Sequence, residues 1–145
     1  MEDKNTLYQI TNKVGRPIEY SPEELALKAN EYFQWVLENP LIEVDFRGKY
    51  LEEVKLPKMR PFTIEGFCIF AGIIRQTFLN YEKREEFLEV VSKIRNIIEN
   101  QQYEGAASGF LNSNIVARKL GLADKKENEI KGSLTFLDAL KNARG

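Results

Sequence analysis

Thr63-Ile64-Glu65-Gly66-Phe67-Cys68-Ile69-Phe70-Ala71-Gly72-Ile73-Ile74-Arg75-Gln76-Thr77-Phe78-Leu79-Asn80-Tyr81 is the stretch on which the fold turns. Thr63 carries a side-chain oxygen able to accept from an open helix amide, so it is the expected N-cap of a short helix. Glu65 then falls in the first turn, where a negative charge is favoured. Ile64, Phe67, Cys68 and Ala71 recur at helical spacing and define an inner face. Gly72 permits the sharp turn, because glycine tolerates backbone angles that other residues avoid. A second helix is expected over Arg75–Tyr81, with Phe78 and Tyr81 inward and Ile74 one turn before Phe78. Two short helices, a glycine turn and apolar residues that pack one across the other have the dimensions of a helix-turn-helix.

The face opposite Phe78 and Tyr81 carries Arg75, Gln76, Leu79, Asn80 and Lys83. In a helix-turn-helix that reads DNA, the second helix lies in the major groove and its first turns meet the base edges. Arginine suits guanine, glutamine and asparagine suit adenine, and an exposed Leu79 suits a thymine methyl. From Lys58 to Arg84 five cations (Lys58, Arg60, Arg75, Lys83, Arg84) accompany two carboxylates (Glu65, Glu82), whereas the whole chain carries a net charge of −1. Positive charge is therefore concentrated where a polyanion would bind. A helical hairpin with a merely solvated polar face has the same pattern, and the residues alone leave these two readings level.

Outward from the motif, residues 1–20 read as an extended arm, since Pro17 in Gly15-Arg16-Pro17 lacks an N–H and restricts its predecessor. Arg16 is placed to enter a minor groove, or simply leads into the first helix. Ser21-Pro22-Glu23-Glu24 is a capping box with proline at the first helical position. Leu25, Ala29, Tyr32, Phe33 and Val36 then share one face until Asn39-Pro40 stops the helix. Over 41–57, Ile42, Val44 and Phe46 alternate with polar residues, Arg47-Gly48-Lys49 supplies a turn, and Val54 and Leu56 alternate again. That is a β-hairpin, acting either as a wing that touches phosphate through Arg47 and Lys49 or as a cover for the helical core.

On the far side of the motif a long helix is expected from about Arg84 to Glu104, ~30 Å at 1.5 Å per residue. Phe87, Val90, Val91, Ile94, Ile97 and Ile98 make a stripe wider than one short helix covers, which points to packing against another subunit. Packing against Ile115, Val116 and Leu120 of a last helix, capped near Asn112 or Ser113 and stopped at Gly121, is the alternative. Residues 124–145 are a polar tail in which Leu134–Leu140 can form a helical turn or two. The chain thus reads as mainly α, a helix-turn-helix domain with a small β-hairpin insertion and a long helical oligomerisation segment. Its parts are an arm over 1–20, a DNA-binding region over 21–84, a helical oligomerisation region over 85–123 and a flexible tail over 124–145.

The composition narrows the function. With no histidine and one cysteine in 145 residues, no zinc site of the usual ligands and no histidine-based catalysis can be assembled. There is no phosphate-binding loop, and the 22 acidic residues lie among 21 basic ones as on an ordinary solvated surface. A non-enzymatic protein without catalytic residues, metal or cofactor is expected. No apolar run has the length of a membrane span, and Met1–Thr6 lacks the layout of a signal peptide. The lone Cys68 reads as a small buried hydrophobe and fits a reducing cytoplasm.

The order of these parts resembles the bacteriophage terminase small subunits, the DNA-packaging proteins. The resemblance is carried by Gly15-Arg16-Pro17, the capped first helix, Pro61–Phe67, Gly72–Tyr81, and Asn112-Ser113-Asn114 through Lys119-Leu120-Gly121-Leu122-Ala123-Asp124-Lys125, and it spans residues 15–126. It implies a homo-oligomer, ring-shaped in the family, that binds double-stranded DNA at the packaging site in the bacterial host cytoplasm. It also implies a partner, the large subunit that holds the ATPase and nuclease. By the same resemblance Arg75, Gln76, Thr77 and Asn80 are the DNA-reading candidates, beside Lys83, Arg60, Lys58 and Arg16. Residues 85–120 would be the assembly region and 124–145 the contact for the large subunit. Two departures stand out: Ile74 occupies the position where the family often has a Ser or Thr cap, and 41–57 is an insertion. The residues themselves still admit a dimeric transcriptional regulator, or an assembly or adaptor protein without DNA affinity.

Overall fold

The computed structural model describes residues 18–122 and 139–143. The expected arm up to residue 17, with Arg16, and the expected tail over 124–145, apart from residues 139–143, lie outside the described residues. Seven elements follow in order: α1 (Pro22–Glu38), β1 (Leu41–Arg47), β2 (Glu52–Lys58), α2 (Ile64–Ala71), α3 (Arg75–Glu82), α4 (Leu88–Ala107) and α5 (Ser113–Leu120). The chain divides into two compact units, residues 1–112 and 113–145.

The first unit is helical because its apolar residues recur at helical period and its helix ends are capped. At the start of α1 the Ser21 N–H donates to Glu24 Oε2 at 2.9 Å, and the Glu24 N–H donates to Ser21 Oγ at 3.2 Å. This is the reciprocal box read from the sequence, and Pro22 occupies the first turn. Leu25, Ala29, Tyr32, Phe33 and Val36 are the buried face of α1. Phe67, Cys68 and Ala71 of α2, Phe78 and Tyr81 of α3, and Phe87, Val91, Ile94 and Ile98 complete one core. Tyr32 sits among aromatic rings, its centroid within 6.2 Å of those of Phe33, Phe62, Phe67 and Phe70. Fully burying each such side chain is worth ~1.5–3 kcal/mol.

That core corrects one expectation. Phe87, Val91, Ile94 and Ile98 were read as a surface kept for another subunit, but each is at most 3% exposed within this chain. The chain covers them itself, with α1 and α3 packed along α4. Of the six residues in the stripe, Val90 is half-buried and Ile97 is exposed. The long helix also starts later than expected, at Leu88. Arg84 is extended and Glu85–Phe87 forms a 3-10 turn, which tucks Phe87 under Tyr81 with their rings stacked at 4.4 Å.

The segment leading into α2 is clamped by side chains, because it has no ladder of its own. The Phe62 N–H donates to Gln101 Oε1 at 2.9 Å, and Gln101 Nε2 donates to the Arg60 carbonyl at 3.2 Å. Buried Gln102 donates to the Phe62 carbonyl at 2.5 Å, and the Thr63 N–H donates to Tyr32 Oη at 3.1 Å. Gly66 is where Tyr32 comes closest: a Cβ there would lie 2.5 Å from the Tyr32 hydroxyl. Buried backbone polar groups are thus satisfied, as folding requires.

β1 and β2 form the expected antiparallel hairpin, but it does not cover the core. Its register pairs Ile42 with Pro57, Val44 with Lys55 and Phe46 with Glu53, while Val54 faces Asp45 and Leu56 faces Glu43. Paired residues share a face, so the apolar residues of the two strands point to opposite sides. The alternation read in each strand is present, but the register does not add the two apolar sets together. Ile42, Val44 and Phe46 stay 55%, 52% and 58% exposed.

In the second unit, α5 ends as expected before Gly121 and carries Arg118 and Lys119 in its last turn, where cations suit the helix dipole. Residues 139–143 are helical, at the end of the stretch expected to form a turn or two. Among the described residues no helix is long and apolar enough to cross a membrane.

Candidate nucleic-acid interface

Thr63 caps α2 by accepting the Gly66 N–H at 2.9 Å. Gly72 closes the helix in the left-handed region (φ 72°), where its N–H donates to the Ile69 carbonyl and the Ile73 N–H donates to the Cys68 carbonyl. A residue with a Cβ is disfavoured at such an angle. α3 then crosses back, with the Phe78 ring edge-on to Phe67 at 5.9 Å and the Tyr81 ring on Phe87. These are the two short helices and the glycine turn expected from the sequence, with both inward aromatics buried.

The opposite face of α3 presents Arg75, Gln76, Asn80 and Lys83 to solvent, with Thr77 and Leu79 half-buried. Leu79 is therefore less available to a base methyl than the sequence suggested. Gln76 Nε2 donates to Asn80 Oδ1 at 3.0 Å, one helical turn apart. That bond ties the two exposed amides together yet leaves each with further donors and acceptors. Glu82, the nearest carboxylate in α3, is engaged by Arg95 of α4, whose guanidinium lies 5.5 Å over the Phe78 ring. Among the described residues neither Arg75 nor Lys83 has a carboxylate partner.

The other expected cations do other work. Arg60 is half-buried: its Nε donates to the Asn39 carbonyl at 2.7 Å and its guanidinium lies 5.1 Å over the Trp35 ring. It pins the base of the hairpin to α1. Lys58 pairs with Glu43 across the hairpin at 3.0 Å. Arg84 pairs with Glu19 and Glu86 and covers the Phe87 ring. Arg47, the possible wing contact, pairs with Asp45 at 2.9 Å. Of the five cations counted in the sequence, Arg75 and Lys83 are left for a ligand.

Tyr20 was not singled out in the sequence, yet it ties the start of the described chain to the motif. Its N–H donates to Tyr81 Oη at 2.9 Å and its hydroxyl donates to the Ala71 carbonyl at 2.5 Å. The signal was an aromatic just before a helix cap, too common a pattern to assign. Tyr20 thus lies beside the Gly72 turn between α2 and α3.

With this geometry in view, the model of the family described as DNA-packaging protein gp3 matches residues 15–128. The chain belongs to the DNA-packaging protein gp3 family. A terminase small subunit of Salmonella phage P22 is 36% identical over 129 residues, covering 86% of this chain and 79% of that protein. The match to the gp3 family takes in α1, the hairpin, α2, α3 and α4, so the resemblance read from scattered motifs holds over most of the chain.

Two local consequences of this gp3-family fold are measurable. Ile74, the N-cap that precedes α3, has extended angles but makes no side-chain cap bond. Ile74→Thr is expected to stabilise the fold by ~1 kcal/mol, read as a higher urea midpoint, since the hydroxyl would accept an open amide of the first turn. Burial pushes the Cys68 thiol up from 9.0 to about 11. The folded state then binds a proton that the unfolded state releases, so this group's contribution falls as pH rises between those values and is constant below them. Cys68→Ala is expected to lose that part of the pH dependence. In the native wild type a thiol reagent at neutral pH should react only as fast as the chain unfolds.

Proposed function

We propose that this chain is the DNA-recognising small subunit of a phage or prophage terminase. It binds double-stranded DNA at the packaging site through the outward face of α3 and works as an oligomer, ring-shaped by analogy with the resemblance, in the cytoplasm of the bacterial host. One observation carries the reading: Arg75, Lys83 and the Gln76–Asn80 amide pair are exposed together on the second helix of a helix-turn-helix. Its inner face is fixed by Phe78 and Tyr81. Arginine, glutamine and asparagine are the side chains that make paired hydrogen bonds to base edges in a major groove. Thr77, half-buried, supports α3 beside them.

Arg16 joins this interface from the arm, supported by the anchoring of Tyr20 at the turn. The chain supplies no chemistry of its own, in keeping with a sequence that has no histidine and one cysteine. The large subunit performs the ATP hydrolysis and cutting, and residues 124–145 are its contact.

The test is affinity for duplex DNA as salt is raised. Arg75, Lys83 and Arg16 of each copy, multiplied around an oligomer, give an affinity that falls steeply with salt. Equal retention with and without duplex in a low-salt gel shift would leave an assembly or adaptor protein instead.

A further inference from the structure

Two apolar features of the first unit are left uncovered by its own fold. The first is the outer face of the hairpin, where Ile42, Val44 and Phe46 line β1 with Glu53 and Lys55 opposite them on β2. Beyond its own ladder the hairpin makes almost no contact with the helices. A two-stranded hairpin is marginal in water unless an apolar face packs on something. The second is a groove of about 310 Å³ between α1 and α4, floored by Phe33, Val90, Ile94 and Ile97 and rimmed by Glu89 and Lys93.

We propose that the hairpin of each copy docks by its Ile42-Val44-Phe46 face into the α1–α4 groove of the next copy. Shape and charge both favour this occupant. An apolar strand face meets an apolar groove, and the flanking Glu53 and Lys55 meet a rim whose exposed Lys93–Glu89 pair, 2.7 Å apart, can exchange partners with them. Among the described residues each copy offers this hairpin and this groove on different surfaces, so a head-to-tail contact uses both once per copy. A contact between different patches of the two copies closes into a ring when its rotation allows. The core correction agrees: the stripe residues still reachable on α4, Val90 and Ile97, both line this groove, beside buried Ile94.

The proposal rests on the reading of the chain as an oligomer, and cross-linking with mass measurement tests it. Cys68 is buried, so Val44→Cys and Ile97→Cys each carry one accessible thiol. Mixed under mild oxidant, they are expected to give a disulfide-linked heterodimer that neither gives alone. Phe46→Lys, at a residue with no role in the core, is expected to weaken self-association about tenfold or more by light scattering, with unchanged helical circular dichroism. A monomeric wild type overturns both the oligomer reading and this contact. An oligomeric wild type with no mixed cross-link, with Val44→Cys linked only to itself, or with Phe46→Lys of full mass, overturns this contact alone.

Discussion

Arg75→Ala is expected to lower affinity for a duplex selected from a random pool by a factor of ~5–150, the ~1–3 kcal/mol that one paired contact to a base contributes. Arg75 opens α3, is exposed, and has no carboxylate partner among the described residues. Its loss therefore removes a contact to DNA without removing one that holds the fold. Fluorescence anisotropy with the selected duplex and a scrambled one separates the two parts of its role. A larger loss on the selected duplex means base reading, and an equal loss on both means phosphate contact alone. Arg75→Lys should restore the charge but not the discrimination, because an ammonium cannot make the planar two-bond contact. Lys83→Ala should weaken both duplexes alike and reduce the salt slope by about one.

Phe67→Ala is expected to destabilise the chain by ~3–5 kcal/mol, seen as a lower urea midpoint at unchanged slope. Phe67 is fully buried and touches both helices that orient the motif. Its ring lies 5.8 Å from that of Tyr32 in α1 and 5.9 Å from that of Phe78 in α3. Truncation leaves a cavity between α1, α2 and α3 that the clamped entry at Phe62 and Thr63 cannot readily close. DNA affinity should fall with it at temperatures near the new midpoint and recover on cooling. A destabilisation below ~1 kcal/mol would mean that the motif packs some other way.

Most of the fold was legible because it rests on local signals. The capping box at Ser21, the five inward residues of α1, the Thr63 cap and the Gly72 turn each follow from the chemistry of neighbouring residues. What was not legible depends on pairings distant in sequence. Whether Phe87, Val91, Ile94 and Ile98 face another subunit or the chain's own core depends on where α1 and α3 lie, and periodicity along α4 carries no such information. The hairpin was read correctly strand by strand, but its register across Gly48 decides whether the two apolar sets add or oppose. Among the candidate site residues, the shared exposed face of Arg75, Gln76, Asn80 and Lys83 was legible from their helical spacing. The ties of Arg60 to Trp35 and the Asn39 carbonyl were not legible, because those partners lie more than twenty residues away.

The two halves of the account, DNA reading by α3 and assembly through the hairpin, concern different surfaces and can fail separately. The first is central. A photo-reactive benzoylphenylalanine at position 76, beside Asn80 on the exposed face, tests it most directly when irradiated with duplex DNA containing the binding site. The account expects covalent adducts on bases within the site, and none from the same group placed at position 93 on α4. Adducts absent from position 76, or formed only from the hairpin tip at position 49, would contradict it.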